Sequence, residues 1–224
     1  DLLRIIGDAY NQGKHVMVEA PTGVGKSLAY LIPSALFALR NNDRVVISTN
    51  TLTLQDQLIN KDIPLLARLL DEPVHAAVLK GRSNYLCPRR LIAMRRRGPT
   101  SADEMQILAR VMIWLVENRS GDRGELSLRG ANESAVWNRL SAEDEGCRTE
   151  RCATQMAGVC PFYKAHRRAE NSHLIVVNHA LLLADSASEG RVLPEYKYLI
   201  VDEAHHLEDA TTNGLSFRTD FHSI

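Results

Sequence analysis

One segment, Ala20–Ser27, limits the folds open to this chain more than any other feature, and it reads APTGVGKS. The mostly apolar run Val16–Ala20 leads into it, and the apolar run Leu28–Ile32 follows it. This is the context of a strand that turns sharply into a helix, with glycines that let backbone N–H groups approach phosphate oxygens. A Gly-Lys-Ser triplet alone is common, but the whole octapeptide in this context predicts a phosphate-binding loop.

The loop carries the groups needed to hold a nucleoside triphosphate such as ATP. Lys26 is expected to reach the β- and γ-phosphates, and the hydroxyl of Ser27 is expected to coordinate Mg²⁺. The helix that begins near Lys26 would add the positive end of its dipole. The other residues of the predicted cradle are Thr22, Gly23, Val24 and Gly25.

A second motif, DEAH at Asp202–His205, follows the apolar run Tyr198–Val201. Acidic residues often end strands, so this motif is weak alone, but together with the phosphate loop it predicts a site that hydrolyses ATP. Asp202 would hold the hydration shell of Mg²⁺, and Glu203 would polarise the attacking water.

Apolar runs rich in Val, Ile and Leu alternate with helical patterns along the chain. The predicted strands are His15–Ala20, Arg44–Thr49, Val74–Leu79, His173–Asn178 and Lys197–Asp202. The alternation predicts an α/β fold, a parallel sheet with helices on both faces. The predicted helices are Leu2–Gln12, Lys26–Arg40, Thr53–Leu70 and Ala180–Asp185.

The connection from Leu79 to His173 is far too long for a loop and predicts an insertion with its own structure. Within it, Ser101–Glu104 has the capping-box pattern at the start of an amphipathic helix, and Glu133–Leu140 has the pattern of a shorter helix. We therefore expect residues 1–80 and 173–224 to form the α/β domain, and residues 81–172 to form a mainly helical inserted domain.

The net charge of zero hides an uneven distribution. Residues 81–172 carry 16 Lys or Arg and 11 Asp or Glu, and the remainder carries 11 and 16. A local basic surface of this kind favours a nucleic-acid partner. The sequence contains no run of 18 apolar residues, so no membrane-spanning helix is predicted. The chain starts at Asp1 without a methionine, so we expect it to be a piece of a longer protein.

All four cysteines fall within the predicted insertion. Disulfides would need an oxidising compartment, and unrelated buried thiols would scatter along the chain, so a tetrathiolate metal site is favoured. Zinc sites usually use paired, closely spaced cysteines, which this sequence lacks, so the spacing favours an iron–sulfur cluster while Zn²⁺ stays open. The four residues are Cys87, Cys147, Cys152 and Cys160.

Two sets of residues are candidates for contact with nucleic acid. Five arginines follow Cys87 and, if helical, could contact successive phosphates; the alternative is an ordinary solvated helix face. Hydroxyl and amide groups after the strand Arg44–Thr49 could hold a single-stranded backbone, or could cap the next helix. The candidates are Arg89, Arg90, Arg95, Arg96 and Arg97 in the first set, and Thr49, Thr51 and Gln55 in the second.

These motifs together resemble the DinG/XPD-like iron–sulfur DNA helicases of superfamily 2, with the DinG group as the nearer match. The resemblance covers residues from about 15 to 210 in the expected order. The segments that carry it are Val18–Ser27, Ser48–Leu52, Lys80–Cys87, the three later cysteines, Val177–Leu182 and Asp202–His205.

The resemblance implies a RecA-like first motor domain, interrupted by a domain with a 4Fe–4S cluster held by the four cysteines. It implies ATP-driven 5′-to-3′ movement on single-stranded and forked DNA, with His205 coupling the nucleotide state to the motor. It also implies a bacterial, cytoplasmic, nucleoid-associated protein without a membrane anchor; no oligomer is predicted. The second motor domain and its arginine finger, worth about 10³–10⁵ in rate, are not in this sequence, so we expect this piece to hydrolyse ATP poorly.

Two other functions remain open from the residues. One is a passive module that binds single-stranded DNA and whose phosphate loop is vestigial. The other is a phosphate-loop NTPase that is not a helicase.

Overall fold

A computed structural model of the chain describes residues 1–21, 23, 25–118, 120–143, 147, 152, 154, 156 and 158–215. The chain divides into two compact units. We call the one drawn from Asp1–Leu79 and Arg168–Ile224 the sheet unit, and the one drawn from Lys80–Arg167 the insertion unit. Within the described residues, no helix is long and apolar enough to cross a membrane.

A parallel sheet of four strands organises the sheet unit. The strands are β1 (Val45–Thr49), β2 (Ala76–Val78), β3 (Leu174–Asn178) and β4 (Tyr198–Val201), in the order β2-β3-β1-β4. Every residue of β1 is buried, as expected for a strand covered on both faces. The predicted α/β fold with a parallel sheet is confirmed.

The helices match the sequence patterns closely, and the helix Leu2–Gln12 has the predicted bounds. A π-helical turn, Leu58–Asp62, joins two shorter helices, so the predicted helix Thr53–Leu70 is helical throughout. In chain order the α-helices used below are α1 (Leu2–Gln12), α2 (Lys26–Asn41), α3 (Leu52–Gln57), α4 (Ile63–Leu70), α5 (Pro88–Arg97), α6 (Ala102–Glu117), α7 (Gly130–Leu140), α8 (Pro161–Glu170), α9 (His179–Ala187) and α10 (Leu207–Leu215).

The core of the sheet unit forms where α2 and the helical run after β1 pack on the strands. Leu31 and Ala35 of α2 are fully buried, as are Ile47 of β1 and Val176 of β3. Because α2 begins with the phosphate-loop lysine, this packing fixes the position of the predicted nucleotide site relative to the sheet.

The prediction of a first strand at His15–Ala20 is wrong. Residues 14–21 belong to neither a helix nor a strand, and Met17 is 99% exposed. A strand needs a partner for its backbone groups, and residues 14–21 pair with none of the four strands of the sheet. The apolar run Val16–Val18 favours extended backbone, but this preference alone does not give the segment a strand to pair with.

The insertion unit has its own apolar core, built from α5, α6 and α7 around the fully buried Trp137. The predicted cap of α6 is confirmed, because the hydroxyl of Ser101 accepts a hydrogen bond from the backbone N–H of Glu104 at 3.1 Å. The carboxylate of Glu104 does not complete the capping box. It accepts instead from the backbone N–H of Thr100 at 2.8 Å.

Candidate functional site

The phosphate-loop lysine is the first residue of α2. Gly23 and Gly25 before it have φ values of 81° and 78°, left-handed backbone that glycine adopts readily. The free N–H groups at the start of α2 therefore lie beside the loop, as an anion site requires. Thr22 and Val24, also predicted to bind the nucleotide, lie outside the described residues.

Lys26 and Glu203 form an ion pair that joins the start of α2 to the end of β4. The Nζ atom of Lys26 donates a hydrogen bond to Oε1 of Glu203 at 2.8 Å. The hydrogen bond raises the pKa of Lys26 and lowers the pKa of Glu203. About a quarter of each side chain is exposed, so solvent screens the pair and leaves Lys26 within reach of other anions.

Tyr30, which was not among the predicted site residues, contacts Asp202, the other acid of the DEAH motif. Its hydroxyl donates a hydrogen bond to Oδ2 of Asp202 at 3.1 Å. Burial, and then the Asp202 carboxylate, raises the pKa of Tyr30, so the phenol remains a donor. Tyr30 lies four residues after Lys26 and therefore on the same face of α2. The spacing of four residues from Lys26 was the sequence signal that could have identified Tyr30.

The backbone turns sharply immediately after β4 and directs both acids to α2. The N–H of Asp202 donates to the carbonyl of Ser48 at 2.8 Å, which extends the pairing of β1 with β4 by one residue. Glu203 then has a φ of 54°, uncommon outside glycine, and its N–H donates to Oδ1 of Asp202 at 3.1 Å. The two oxygens of Asp202 thus have different partners.

His205 lies at the exposed side of this cluster. Its Nδ1 atom is 3.6 Å from Oε2 of Glu203, and its ring centroid is 4.0 Å from that of His206. Two-thirds of the His205 side chain is exposed. The structure therefore brings together the four residues predicted to be catalytic, Lys26, Asp202, Glu203 and His205, with Ser27 next to Lys26.

Cys160 lies near two of the other three cysteines. Burial raises the pKa of Cys160 to about 12, and the thiols of Cys152 and Cys147 add to this rise. Cys87 is buried at the start of α5, and its N–H donates to the carbonyl of Leu140 at 2.8 Å. Soft thiolate donors suit zinc or an iron–sulfur cluster. Within the described part of the chain, however, no group of three or more ligand side chains is arranged to hold a metal ion.

The arginines of α5 differ in their surroundings. Arg97 donates two hydrogen bonds to the carboxylate of Glu104, at 3.0 and 2.9 Å, and Arg90 donates to the carbonyls of Asn138 and Ser141. Arg95 and Arg96 are exposed, and Arg89 is partly buried. The exposed surface that could meet a phosphate backbone is therefore centred on Arg95 and Arg96.

Glu104 also holds an arginine that the sequence analysis missed. Arg139 of α7 lies 2.7 Å from Oε1 of Glu104, so one buried carboxylate fixes guanidinium groups from two helices. The Thr100 N–H, followed by Arg97, lowers the pKa of Glu104 to about 2. Half of the Arg139 side chain remains exposed.

The residues at the end of β1 and just after it face in different directions. Thr51 is exposed and caps α3, since its hydroxyl accepts from the N–H of Leu54 at 3.2 Å. Thr49 and Gln55 are fully buried, and neither amide atom of the Gln55 side chain has a hydrogen-bond partner in the structure. Of the three residues predicted here to contact nucleic acid, the structure therefore leaves Thr51 exposed and buries Thr49 and Gln55, the latter because the period of α3 turns it toward the sheet.

Comparison with known proteins gives matches over nearly the whole chain. The family models described as DEAD/DEAH box helicase and as DEAD_2 match residues 3–93 and 145–224. The 3'-5' exonuclease DinG of Bacillus subtilis is 37% identical over 98% of this chain and 23% of its own length. The ATP-dependent DNA helicase DinG of Escherichia coli K12 is 35% identical over 95% of this chain and 31% of its own length.

The chain is similar to DinG proteins along nearly all of its length. The resemblance predicted from its motifs is confirmed. The DinG protein of Salmonella typhimurium is 36% identical over 95% of the chain. A solved structure named XPD helicase covers 93% of this chain and 32% of its own length, with 16% identity and a TM-score of 0.46. The chain thus spans about a quarter to a third of the length of the DinG relatives it matches.

Proposed function

We propose that this DinG-like chain supplies the first motor domain of an ATP-dependent DNA helicase. The observation that carries the proposal is the 2.8 Å contact between Lys26 and Glu203, which brings the phosphate-loop lysine to the acidic pair. A phosphate-binding group and a carboxylate able to polarise water must share one site for ATP hydrolysis.

The ion pair suggests how the site responds to ATP. The triphosphate competes with Glu203 for the ammonium group of Lys26, and the start of α2 adds N–H donors for the same oxygens. Glu203 then loses its cationic partner and becomes available to accept a proton from the attacking water. In the absence of ATP, the same ion pair holds Glu203 away from productive chemistry.

Mg²⁺ fits the polar groups next to this pair. Asp202 and the hydroxyl of Ser27 offer the oxygen ligands that Mg²⁺ prefers, and Tyr30 orients the Asp202 carboxylate through Oδ2. When bound, Mg²⁺ would neutralise charge on the phosphates during hydrolysis.

We further propose that the protein moves 5′ to 3′ along single-stranded DNA. Exposed Arg95 and Arg96 of the insertion unit and exposed Thr51 after β1 support a sequence-independent contact with the phosphate backbone. Movement needs a second motor domain that opens and closes on the ATP site. This chain alone is therefore expected to hydrolyse ATP slowly.

We also propose that Cys87, Cys147, Cys152 and Cys160 hold a 4Fe–4S cluster, with Zn²⁺ as the alternative. The proximity of Cys160 to Cys147 and Cys152 supports a shared thiolate site. A bound cluster would join distant parts of the insertion unit without a change of oxidation state. Anaerobic purification followed by an optical spectrum and metal analysis decides between them: broad visible absorbance with iron supports the cluster, and a colourless protein with stoichiometric zinc overturns it.

The experiment that tests the motor function uses Lys26→Ala in a protein that contains this chain together with its second motor domain. Wild-type protein is expected to hydrolyse ATP faster with single-stranded DNA and to unwind a forked duplex with a 5′ tail. Lys26→Ala should lose hydrolysis and unwinding while it still binds DNA. The control is Arg191→Ala, which removes an exposed ion pair with Glu189 in the same unit.

The outcomes separate the other functions. Unwinding that persists in Lys26→Ala contradicts the motor function. DNA binding without any hydrolysis by the wild-type protein supports a passive DNA-binding module. Hydrolysis that DNA does not stimulate supports a phosphate-loop NTPase that is not a helicase.

A further inference from the structure

One fully buried histidine, His179, connects two parts of the predicted motor. It begins α9 immediately after β3, and the side chain of Asn178 caps that helix by accepting from the N–H of Leu181 at 3.0 Å. The Nδ1 atom of His179 lies 2.7 Å from the hydroxyl of Ser48. Both residues are 0% exposed, so solvent cannot substitute for either partner.

Ser48 in turn contacts the acidic pair through its backbone. Its carbonyl accepts the hydrogen bond from the N–H of Asp202 at 2.8 Å. Its hydroxyl meets His179, and its chain leads directly to Thr49 and to the exposed Thr51. A single residue of β1 therefore connects the imidazole, the start of the acidic turn and the segment proposed to meet DNA.

The other ring nitrogen of His179, Nε2, lacks a well-formed hydrogen bond. Nε2 is buried and makes no hydrogen bond of normal geometry within the described structure. Burial lowers the pKa of His179, and weak hydrogen bonding of the ring to the backbone of Glu203, and then of Asp202, opposes that shift. Buried polar nitrogens without a well-formed hydrogen bond are rare and cost stability, and each one calls for an explanation such as strain or a functional role.

The left-handed turn at Glu203 supplies such an explanation. Its φ of 54° is strained for glutamate, and Lys26 holds its side chain in the absence of ATP. When phosphate takes Lys26 away, the turn is free to relax. A small shift of the Glu203 carbonyl would then give Nε2 a hydrogen-bond acceptor.

We propose that His179 is a positioning residue that couples the nucleotide state of the Asp202–Glu203 turn, through Ser48, to the DNA-facing segment that ends at Thr51. The inference rests on the proposed motor function. It adds to that function a defined route within the sheet unit between ATP hydrolysis and the grip on DNA. A histidine that only fills space would need neither nitrogen.

The test uses variants that remove one nitrogen or one hydroxyl at a time. His179→Asn keeps a polar group near the Nδ1 position, His179→Gln keeps one near the Nε2 position, and Ser48→Ala removes only the hydroxyl. Ser172→Ala is the matched control, because Ser172 is another buried serine of the sheet unit whose hydroxyl donates to the carbonyl of Arg168. All are made in the protein that contains the second motor domain.

The measurements are kcat and KM for ATP with and without single-stranded DNA, together with the thermal midpoint. We expect Ser48→Ala and both His179 variants to reduce the stimulation of kcat by DNA about fivefold or more, the size of an ordinary coupling between sites. The KM for ATP and the rate without DNA should stay near wild type, while the thermal midpoint should fall modestly because a buried hydrogen bond is lost. Ser48→Ala combined with His179→Gln should lose no more than either alone, since both remove the contact between Ser48 and Nδ1 of His179.

Other outcomes overturn the inference. If DNA stimulates kcat of Ser48→Ala as much as that of wild type, the inference is wrong, even if the His179 variants fail to fold. An equal fall of the rates with and without DNA, together with a lower thermal midpoint, means that His179 only packs. If DNA does not stimulate ATP hydrolysis by the wild-type protein, the proposed motor function is wrong. If DNA stimulates the wild type and all variants equally, only the inference about His179 is wrong.

Discussion

The hydroxyl of Tyr30 lies 3.1 Å from Oδ2 of Asp202, and this contact joins the second turn of α2 to the residue that follows β4. Tyr30 is 5% exposed and also belongs to the apolar core of the sheet unit. The same side chain therefore stabilises the fold and orients a proposed Mg²⁺ ligand. Packing and chemistry are coupled at this position.

Removal of this hydroxyl should affect stability and Mg²⁺ use together. Tyr30→Phe keeps the ring and loses a buried hydrogen bond, so the free energy of unfolding should fall by about 1 kcal/mol. Because Asp202 loses its orienting donor, half-maximal ATP hydrolysis should require more Mg²⁺. Denaturant unfolding and a Mg²⁺ titration measure the two effects. Tyr198→Phe is the control, since Tyr198 contacts its neighbours through its ring.

A buried carboxylate should make the stability of the insertion unit depend on pH. Folding lowers the pKa of Glu104 from 4.5 to about 2, so the unfolded chain binds the proton more tightly. The stabilisation from Glu104 is therefore complete above about pH 5 and is lost as the pH falls from 4.5 toward 2. Glu104→Gln should lower the thermal midpoint at pH 7, with a difference from wild type that shrinks below pH 4.5.

The control for this experiment lies on the same helix. Glu117 is exposed at the last turn of α6, and Glu117→Gln should leave the thermal midpoint and its pH dependence close to wild type. A difference between wild type and Glu104→Gln that stays constant from pH 7 to pH 2 would contradict the role given to the Glu104 charge.

The exposed arginines of α5 should account for part of the salt dependence of DNA binding. Each phosphate neutralised on a single strand contributes about 0.7 to the slope of log K against log salt concentration, so Arg95→Gln with Arg96→Gln should reduce that slope by about 1.4. Binding titrations at several salt concentrations measure it. An unchanged slope would exclude these two residues from the DNA contact.

Arg191→Gln is the charge-matched control for this measurement, because Arg191 is exposed on the sheet unit beside Glu189. Arg97→Gln should behave differently from the exposed pair. It breaks the contact with Glu104, so it should lower the thermal midpoint of the protein as well as any affinity for DNA.

Local signals in the sequence were sufficient for most of the fold. The Ser101 cap, the bounds of Leu2–Gln12 and the buried strand at Val45–Thr49 follow from residue type and spacing within one segment. The strand predicted at His15–Ala20 failed because pairing depends on residues far away in the chain. The pattern of apolar residues within a segment does not show which strand of the sheet it pairs with.

The same distinction separates the site residues that were found from those that were missed. Lys26 and Glu203 each belong to a motif, and the fold brings the motifs together across 177 positions. Tyr30 and Arg139 act through contacts with distant acids, and neither belongs to a motif. Gln55 was assigned to DNA by its place after a strand, although one further turn of helix directs it inward.

Gln55 gives the clearest test of that correction. Its side-chain amide is fully buried without a hydrogen-bond partner in the structure, and an unpaired buried polar group costs about 1–3 kcal/mol. Gln55→Met has a similar shape and no such cost, so it should raise the free energy of unfolding and leave affinity for single-stranded DNA unchanged. Thr51→Val, at the exposed residue of the same segment, should weaken DNA binding instead. If Gln55→Met lowers DNA affinity while stability is unchanged, Gln55 turns outward to meet DNA, and its buried position describes only the state without DNA.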